Sequence, residues 1–557
     1  MDQQRGNMNA TGALWVKGAA MLGAAAVISK LLGTLQKIPL QNIAGDEAYG
    51  IYTAVYPFYI LILFLATAGF PIAVSTFVAR SLANGNIIAA RQVLKVAIIL
   101  LSISSVAGFV LLFFGAGTIA SWIGNQETVP AIQSVSFALL FVPVMASLRG
   151  YFQGSRDMTP TAVSQVVEQF IRVGTMIAVL ILLTSWDISA SWIAAGATFG
   201  AVTGALAGLF VMLIYWHKHN RLLGHSWRVN QASNSKEPTE RFGPLARRML
   251  LFAIPVCMGA IAVPLMSIVD TFTLPRLLHE PGMNDLDVMT EFGIYARGLP
   301  LVQMVAMLVS SISVALVPAI AEARASNDWN SLQHRAEMSI RLTWIVGAAA
   351  SVGLAITALS VNIMLYENAQ GTMAIAIVAF TAMFSTINIT TTSVLQGIGA
   401  VTLPVIHLLI ATVTKVALNF LLVPMWGING AALAAVIAFA VATILNVIVI
   451  RRMIRVHLRF NVYIIRTGIA LAVMSALLLI VVWGAPALMT ALSDVSTSGR
   501  LFNTCISCLA IMLGIVVYIV VLIKLNVLTK QELTYVPGAE KRLLPILRKL
   551  RVIASDS

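Results

Sequence analysis

The sequence predicts an all-α integral membrane protein of about fourteen transmembrane helices, built as two pseudo-symmetric six-helix lobes with two further helices appended. Composition is the first reason: 59% of the 557 residues are hydrophobic and only 10% charged, more apolar surface than a water-soluble chain can hide. An internal repeat is the second. Gly50-Ile51-Tyr52 and Pro57 return as Gly293-Ile294-Tyr295 and Pro300, at an offset of 243 positions (the difference between 293 and 50). The same offset carries Phe137 onto Phe380, Phe141 onto Phe384, Gln153-Gly154 onto Gln396-Gly397 and Arg172 onto Lys415. One constant offset over four separated segments marks two homologous halves.

Taken in order, apolar runs long enough to span fall near residues 14–37, 51–79, 93–118, 129–149, 160–184 and 190–216. They form the first lobe, residues 1–216. Residues 217–246 are polar and basic and read as a cytoplasmic linker, with His217, His219 and His225 as solvated side chains. Runs near 247–271, 292–320, 339–361, 372–396, 402–423 and 428–450 form the second lobe, residues 247–450. An even number of spans per half gives both halves one orientation, with the pseudo-axis along the membrane normal. Runs near 462–484 and 502–524 lie outside the repeat, within residues 451–526. Residues 527–557 place Leu543, Leu544, Ile546, Leu547 and Leu550 among basic side chains, a pattern for an amphipathic tail on anionic inner-leaflet lipids, kinked at Pro545.

Loop charge sets the direction. With the N-terminus inside, cytoplasmic loops hold Arg80, Arg91, Lys95, Arg149, Arg156, Arg324, Arg335, Arg341 and Arg451, while an outer loop holds Glu280, Asp285, Asp287 and Glu291. This bias predicts a multi-pass protein of the cytoplasmic membrane with both termini cytoplasmic. It also accounts for the net charge of +14, so nucleic acid is not an expected partner. Three cysteines exclude a disulfide framework, and Cys505-x-x-Cys508 sits in an apolar run with no further ligand nearby. No metal site and no cofactor are expected. A membrane-embedded glycosyltransferase would need an acidic catalytic centre, and the D-x-D of Asp285 and Asp287 lies in a short loop beside Pro281-Gly282 that reads as a turn.

Charges inside spans carry the functional signal, because each costs about 2.5–3.5 kcal/mol on insertion scales. Lys30 lies past the middle of the first span, Arg172 and Lys415 at equivalent positions of spans five and eleven, and Arg297 between Tyr295 and Pro300. The acids are Glu168 and Asp270. Glu168 precedes Arg172 by four residues, the favourable order for an ion pair. The cationic excess favours an anionic, phosphate-bearing substrate over an organic cation. Pro143, Pro255, Pro264, Pro300, Pro318 and Pro404 allow kinks within spans.

Ser29-Lys30-Leu31-Leu32-Gly33, Lys37-Ile38-Pro39, Ala48-Tyr49-Gly50-Ile51-Tyr52 and Tyr56-Pro57 resemble the first two helices of the polysaccharide transporter branch of the multidrug/oligosaccharidyl-lipid/polysaccharide exporter superfamily. Ser313 to Ile320 resembles its eighth helix, and Asp270 with Pro275-Arg276 the end of its seventh. The chain is similar to the stage V sporulation protein B-like branch and, more distantly, to the lipid II flippases. The resemblance covers essentially the whole chain. It implies two lobes forming a V, a lipid-tail groove from the last two helices, and alternating access that moves a polyprenyl-diphosphate-linked glycan outward. It further implies cavity cations at Lys30 and Arg297 and a cation site near Asp270; together with the mid-span charges this gives expected diphosphate contacts at Lys30, Arg297, Lys415 and Arg172, and sodium or proton coupling at Asp270 or Glu168. Where those flippases carry a second first-helix arginine this chain has Gln36, then Lys37, and their second-helix arginine has no counterpart near Leu61. A cation-coupled multidrug exporter of the same superfamily and a non-transporting envelope-assembly scaffold are the rival expectations.

Overall fold

The computed structural model describes residues 2–67, 70–230, 240–280, 282–454, 460–487 and 499–527. Among them every regular element is a helix. Eleven helices are long and apolar enough to cross a membrane, and two of these carry a non-helical glycine inside. The first is α2 (Lys37–Thr67), which follows α1 (Asp2–Leu35) and breaks at Gly45, with φ of 78°. The second is the segment Thr402–Ile454, which breaks at Gly427, with φ of 54° and ψ of −135°. Both angles lie where only glycine is at ease, so each glycine turns the chain without an intervening loop. The pairs of runs expected at 14–37 with 51–79 and at 402–423 with 428–450 therefore pass into one another through near-continuous helix.

Packing divides the chain into two compact units: Met1–Ala296 with Asn419–Pro424, and Arg297–Leu418 with Met425–Ser557. This division records packing, whereas lobes at 1–216 and 247–450 record sequence equivalence. Unit 1 continues with α3 (Phe70–Ala83), α4 (Ile87–Phe114), α5 (Ala116–Ile123), α6 (Val129–Ser136), α7 (Val142–Gly154), α8 (Thr159–Ser185), α9 (Ala190–Asn230), α10 (Phe242–Leu277) and α11 (Asp285–Ala296). Its core gathers Val74, Val78, Val93, Leu94, Met145, Tyr151, Phe152, Met212 and Met249. Because α9 runs to Asn230, much of the expected 217–246 linker is helix. His219 is not a solvated linker side chain: its ring packs edge-on against Tyr151 and Phe152 and stacks on Trp216.

Unit 2 holds α12 (Leu299–Ala325), α13 (Trp329–Ile356), α14 (Ala358–Tyr366), α15 (Thr372–Val378), α16 (Phe380–Gly397), α17 (Thr402–Ile454), α18 (Phe460–Leu479) and α19 (Arg500–Lys524). The last two helices pack on each other and on α13 through Ile345, Met474, Leu478, Ile506 and Ala510, and the Tyr518 hydroxyl donates to the Ile345 carbonyl at 3.0 Å. The expected tail at 527–557 lies, beyond Val527, outside the described residues.

The repeat is written into the backbone. Gly124 ends α5 at φ 88°, its N–H donating to the Ala120 carbonyl; Glu367, 243 positions on, ends α14 at φ 66°, donating to Ile363. After α7, Arg156 at φ 62° donates to the Gln153 carbonyl; after α16, Gly399 at φ 81° donates to Gln396. A left-handed residue is a specific choice of the chain, and finding it twice at one offset shows that both halves fold by the same turns.

Two equivalent glycines also meet inside unit 1, where α2 crosses α11. A methyl group on Gly50 would overlap the Met289 carbonyl oxygen and lie 2.8 Å from its carbon; one on Gly293 would overlap the Asp46 carbonyl and lie 3.0 Å from its carbon. Asp46 and Met289 are themselves 243 positions apart, so each helix presents the same face to the other. Small residues let membrane helices approach to backbone contact, which replaces the hydrophobic effect as the packing force in lipid.

Candidate substrate-binding site

Three tyrosines of α2 at helical spacing, Tyr52, Tyr56 and Tyr59, form one face. Tyr52 and Tyr56 stack at 5.5 Å, and Tyr59 lies 6.1 Å from Tyr56. Arg172 of α8 projects onto this face: its guanidinium sits 5.0 Å from the Tyr56 ring centre, within electrostatic reach of Tyr52 and Tyr59. Such a cation over an aromatic face is held electrostatically by the ring. Lys37, at the start of α2, lies within electrostatic reach of Arg172. Gln36 donates to the Tyr52 hydroxyl at 3.3 Å.

The first helix is held against α8. Ser29 donates to the Gln165 carbonyl at 3.3 Å, and Gly33 brings α1 so close that an added methyl would lie 3.3 Å from the Gln169 amide nitrogen. Lys30 is exposed, one turn before Gly33, and forms no ion pair among the described residues. Unit 1 thus assembles three cations, three phenols and two amides on α1, α2, α8 and the turn between α1 and α2. Glu168 lies on the same helix but is engaged elsewhere: instead of pairing with Arg172, it pairs with Arg149 at 2.7 Å. Arg149 also donates to Ser164 at 2.8 Å, which in turn donates to the Gly208 carbonyl. The i, i+4 spacing made the Arg172 pair available, but Arg172 finds the tyrosine face and α7 supplies the competing cation.

Arg297 and Lys415 lie in unit 2. Arg297 is 0% exposed, and its guanidinium donates to the Asn368 side chain at 2.6 Å, to Asn362 at 3.4 Å and to the Gln370 carbonyl at 3.3 Å. Tyr366 covers it at 5.3 Å and donates to its carbonyl at 2.9 Å. The side chain is thereby committed to the turn between α14 and α15. Lys415 is buried and also has an interaction partner.

Asp270 is buried at 5% exposure among oxygen-bearing neighbours of unit 1. Tyr295 donates to its Oδ2 at 2.9 Å; Asn419 donates to its Oδ1 at 3.3 Å and to Thr273 Oγ1 at 2.8 Å, leaving Asn419 Oδ1 buried and unbonded. Oxygen donors of this kind suit a hard cation. Among the described residues no group of three or more His, Cys, Asp or Glu gathers as a metal site. The D-x-D carboxylates serve packing: Asp287 and Asn284 cap the start of α11 reciprocally, and Asp285 accepts from the Gln126 N–H.

Sequence reasoning placed Lys37 at the end of the first span and left it out of the site; it opens α2 instead. It also missed Asn419, which reaches Asp270 from 149 positions away and donates to Thr273 as well. The tyrosine face had a readable signal in its i, i+4, i+7 spacing.

Comparison with known proteins places this geometry. The family described as polysaccharide biosynthesis protein matches residues 15–324. The membrane protein YabM of Bacillus subtilis (strain 168) is 32% identical over 528 residues, covering 95% of this chain and 96% of its own length. The lipid II flippase MurJ of the same organism is 28% identical over 466 residues, covering 78% and 82%. Among solved structures, the inward closed conformation of lipid II flippase MurJ superposes with a TM-score of 0.64 at 14% identity, covering 90% of this chain and 98% of that one. An inward-facing multidrug resistance MATE family transporter of the MOP superfamily gives 0.60 at 16% identity, covering 77% and 94%. These structural likenesses carry the fold.

Proposed function

Because the chain belongs to the polysaccharide biosynthesis protein family, we propose that it is a flippase, carrying a polyprenyl-diphosphate-linked glycan across the cytoplasmic membrane by alternating access. The observation that carries this reading is the Arg172 and Lys37 cluster against the tyrosine face. Arg172 and Lys37 carry like charge within electrostatic reach of each other, and among the described residues no ion pair joins a carboxylate to Arg172. A diphosphate removes that repulsion and accepts several charge-assisted hydrogen bonds at once. Lys30, exposed on α1, adds a third cation for the headgroup as it arrives. The same cluster would repel an organic cation, which disfavours a drug exporter of the same fold.

The cycle follows from differential binding. A headgroup drawing α1, α2 and α8 together stabilises the conformation in which they are close, and its release relaxes it. Asp270, with Thr273 and Asn419, is assigned to sodium or proton coupling, and both termini to the cytoplasm. Arg297 and Lys415, buried in unit 2, are assigned to packing of that unit instead of substrate contact, and Glu168 to its pair with Arg149.

The test is substitution at normal protein levels. Arg172→Gln and Lys30→Ala should each lower glycan export in cells while membrane abundance stays unchanged, and Lys30→Arg should be tolerated. Wild-type export in both neutralised variants would remove the anion site and favour a scaffold.

A further inference from the structure

We propose that unit 1 also recognises the first sugar of the substrate, through the side-chain amides of Gln36 and Gln169, near Lys37 and Arg172 in the chain. This rests on the diphosphate-linked glycan reading above. Gln36 is 4% exposed; its nitrogen serves the Tyr52 hydroxyl, while its Oε1 is buried with no hydrogen bond among the described residues. Gln169 is 9% exposed, and its Nε2 is likewise buried and unbonded. Leaving an amide atom unpaired away from water is costly, so two of them on the segments that carry the cation cluster mark a place for a polar partner. The two are of opposite kinds, one acceptor and one donor. A hydroxyl, or the N–H and C=O of an acetamido group, satisfies both. A bare phosphate satisfies only the donor.

Their placement fits a sugar attached to a diphosphate. Gln169 precedes Arg172 by three residues of α8, about 4.5 Å along a helix axis. That is the scale separating a phosphate from the first ring it carries. Gln36 immediately precedes Lys37 in the chain, at the turn into α2, so both amides belong to the segments that carry the cations. Arg172 and Lys37 are partly exposed, whereas both amides are buried. Gly33 packs directly against Gln169, since an added methyl would lie 3.3 Å from Nε2 and 3.8 Å from its amide carbon, so this position senses any crowding of the amide.

The experiment measures binding of undecaprenyl diphosphate and of the same lipid carrying glucose or N-acetylglucosamine. It uses the purified full-length protein in lipid nanodiscs. The wild type should prefer one or both glycosylated lipids by about tenfold, the discrimination expected when a buried polar pair is satisfied by one ligand only. Glucose and N-acetylglucosamine together distinguish hydroxyl from acetamido recognition. Gln169→Leu and Gln36→Leu should erase the preference, lowering affinity for the glycosylated lipids more than for undecaprenyl diphosphate. Gly33→Ala should do the same by crowding Gln169 with the amides intact, which covers a failure of either leucine variant to fold. Arg172→Gln should weaken every lipid alike, and its failure to do so would count against the diphosphate site alone. A wild type without preference, an unchanged preference in the glutamine variants, or equal weakening of all lipids by them would overturn the sugar site; in the last case the amides merely hold Tyr52.

Discussion

Replacing Gly50 with alanine tests the close backbone approach of α2 to α11. The new methyl carbon would overlap the Met289 carbonyl oxygen and lie 2.8 Å from its carbon and 3.1 Å from the Gly293 nitrogen. Non-bonded carbons rest at about 3.5–4.0 Å, so α2 and α11 must part by at least about 0.7 Å. The obstruction is main chain on both helices, so no side-chain rotation relieves it. Overpacking of this kind costs about 1–3 kcal/mol, against which alanine returns up to about 1 kcal/mol of helix propensity. The net is a loss of about 1–2 kcal/mol, seen as a fall of a few degrees in the melting temperature of the purified protein. Gly174→Ala is the control: nothing lies within 4 Å of its methyl, and it should be neutral or slightly stabilising. Gly293→Ala should match Gly50→Ala, and the double variant should fall short of the sum because both open one crossing. A Gly50→Ala protein as stable as Gly174→Ala would refute the backbone contact.

Arg297→Gln should lower thermal stability and membrane abundance together, by about 1.5–3 kcal/mol for each charged hydrogen bond lost; transport loss at full abundance would return Arg297 to the substrate path. Asp270→Asn should flatten the dependence of transport on sodium or proton gradients, and unchanged dependence would exclude the coupling role. Cysteines placed within 217–246 and after residue 530 of a cysteine-free variant should resist a membrane-impermeant maleimide in intact cells. Labelling at either place would reverse the topology.

The repeat was legible because it rests on turns, and turns need particular residues. The offset linking Gln153-Gly154 to Gln396-Gly397 also links the left-handed residues Arg156 and Gly399 that follow them. Charges within spans were equally legible as positions, since few ionisable residues sit there by accident. Their partners were not. Glu168 had a favourable neighbour four residues on, yet Arg149 reaches it from another helix. Arg297 is wrapped by residues 65 to 73 positions downstream, and nothing near it in sequence announces that turn. Local spacing lists the bonds a helix permits; packing chooses among them. Lys37 was hidden for a different reason, because the apolar run placed it at the end of the first span, whereas it opens α2.

The central claim is that the Arg172 cluster binds the diphosphate of a lipid-linked glycan and that the chain moves it between leaflets. Its most direct measurement is translocation of a fluorescent undecaprenyl-diphosphate-linked sugar in proteoliposomes, followed by quenching of the outer leaflet. Wild-type protein should accelerate translocation well above protein-free vesicles. Arg172→Gln, reconstituted to the same density, should reduce the protein-dependent rate by about tenfold, the loss of about 1.4 kcal/mol expected when a charged hydrogen-bond donor is removed. Equal rates in the two proteins would contradict the cation site, and a wild-type rate no faster than empty vesicles would contradict the flippase itself.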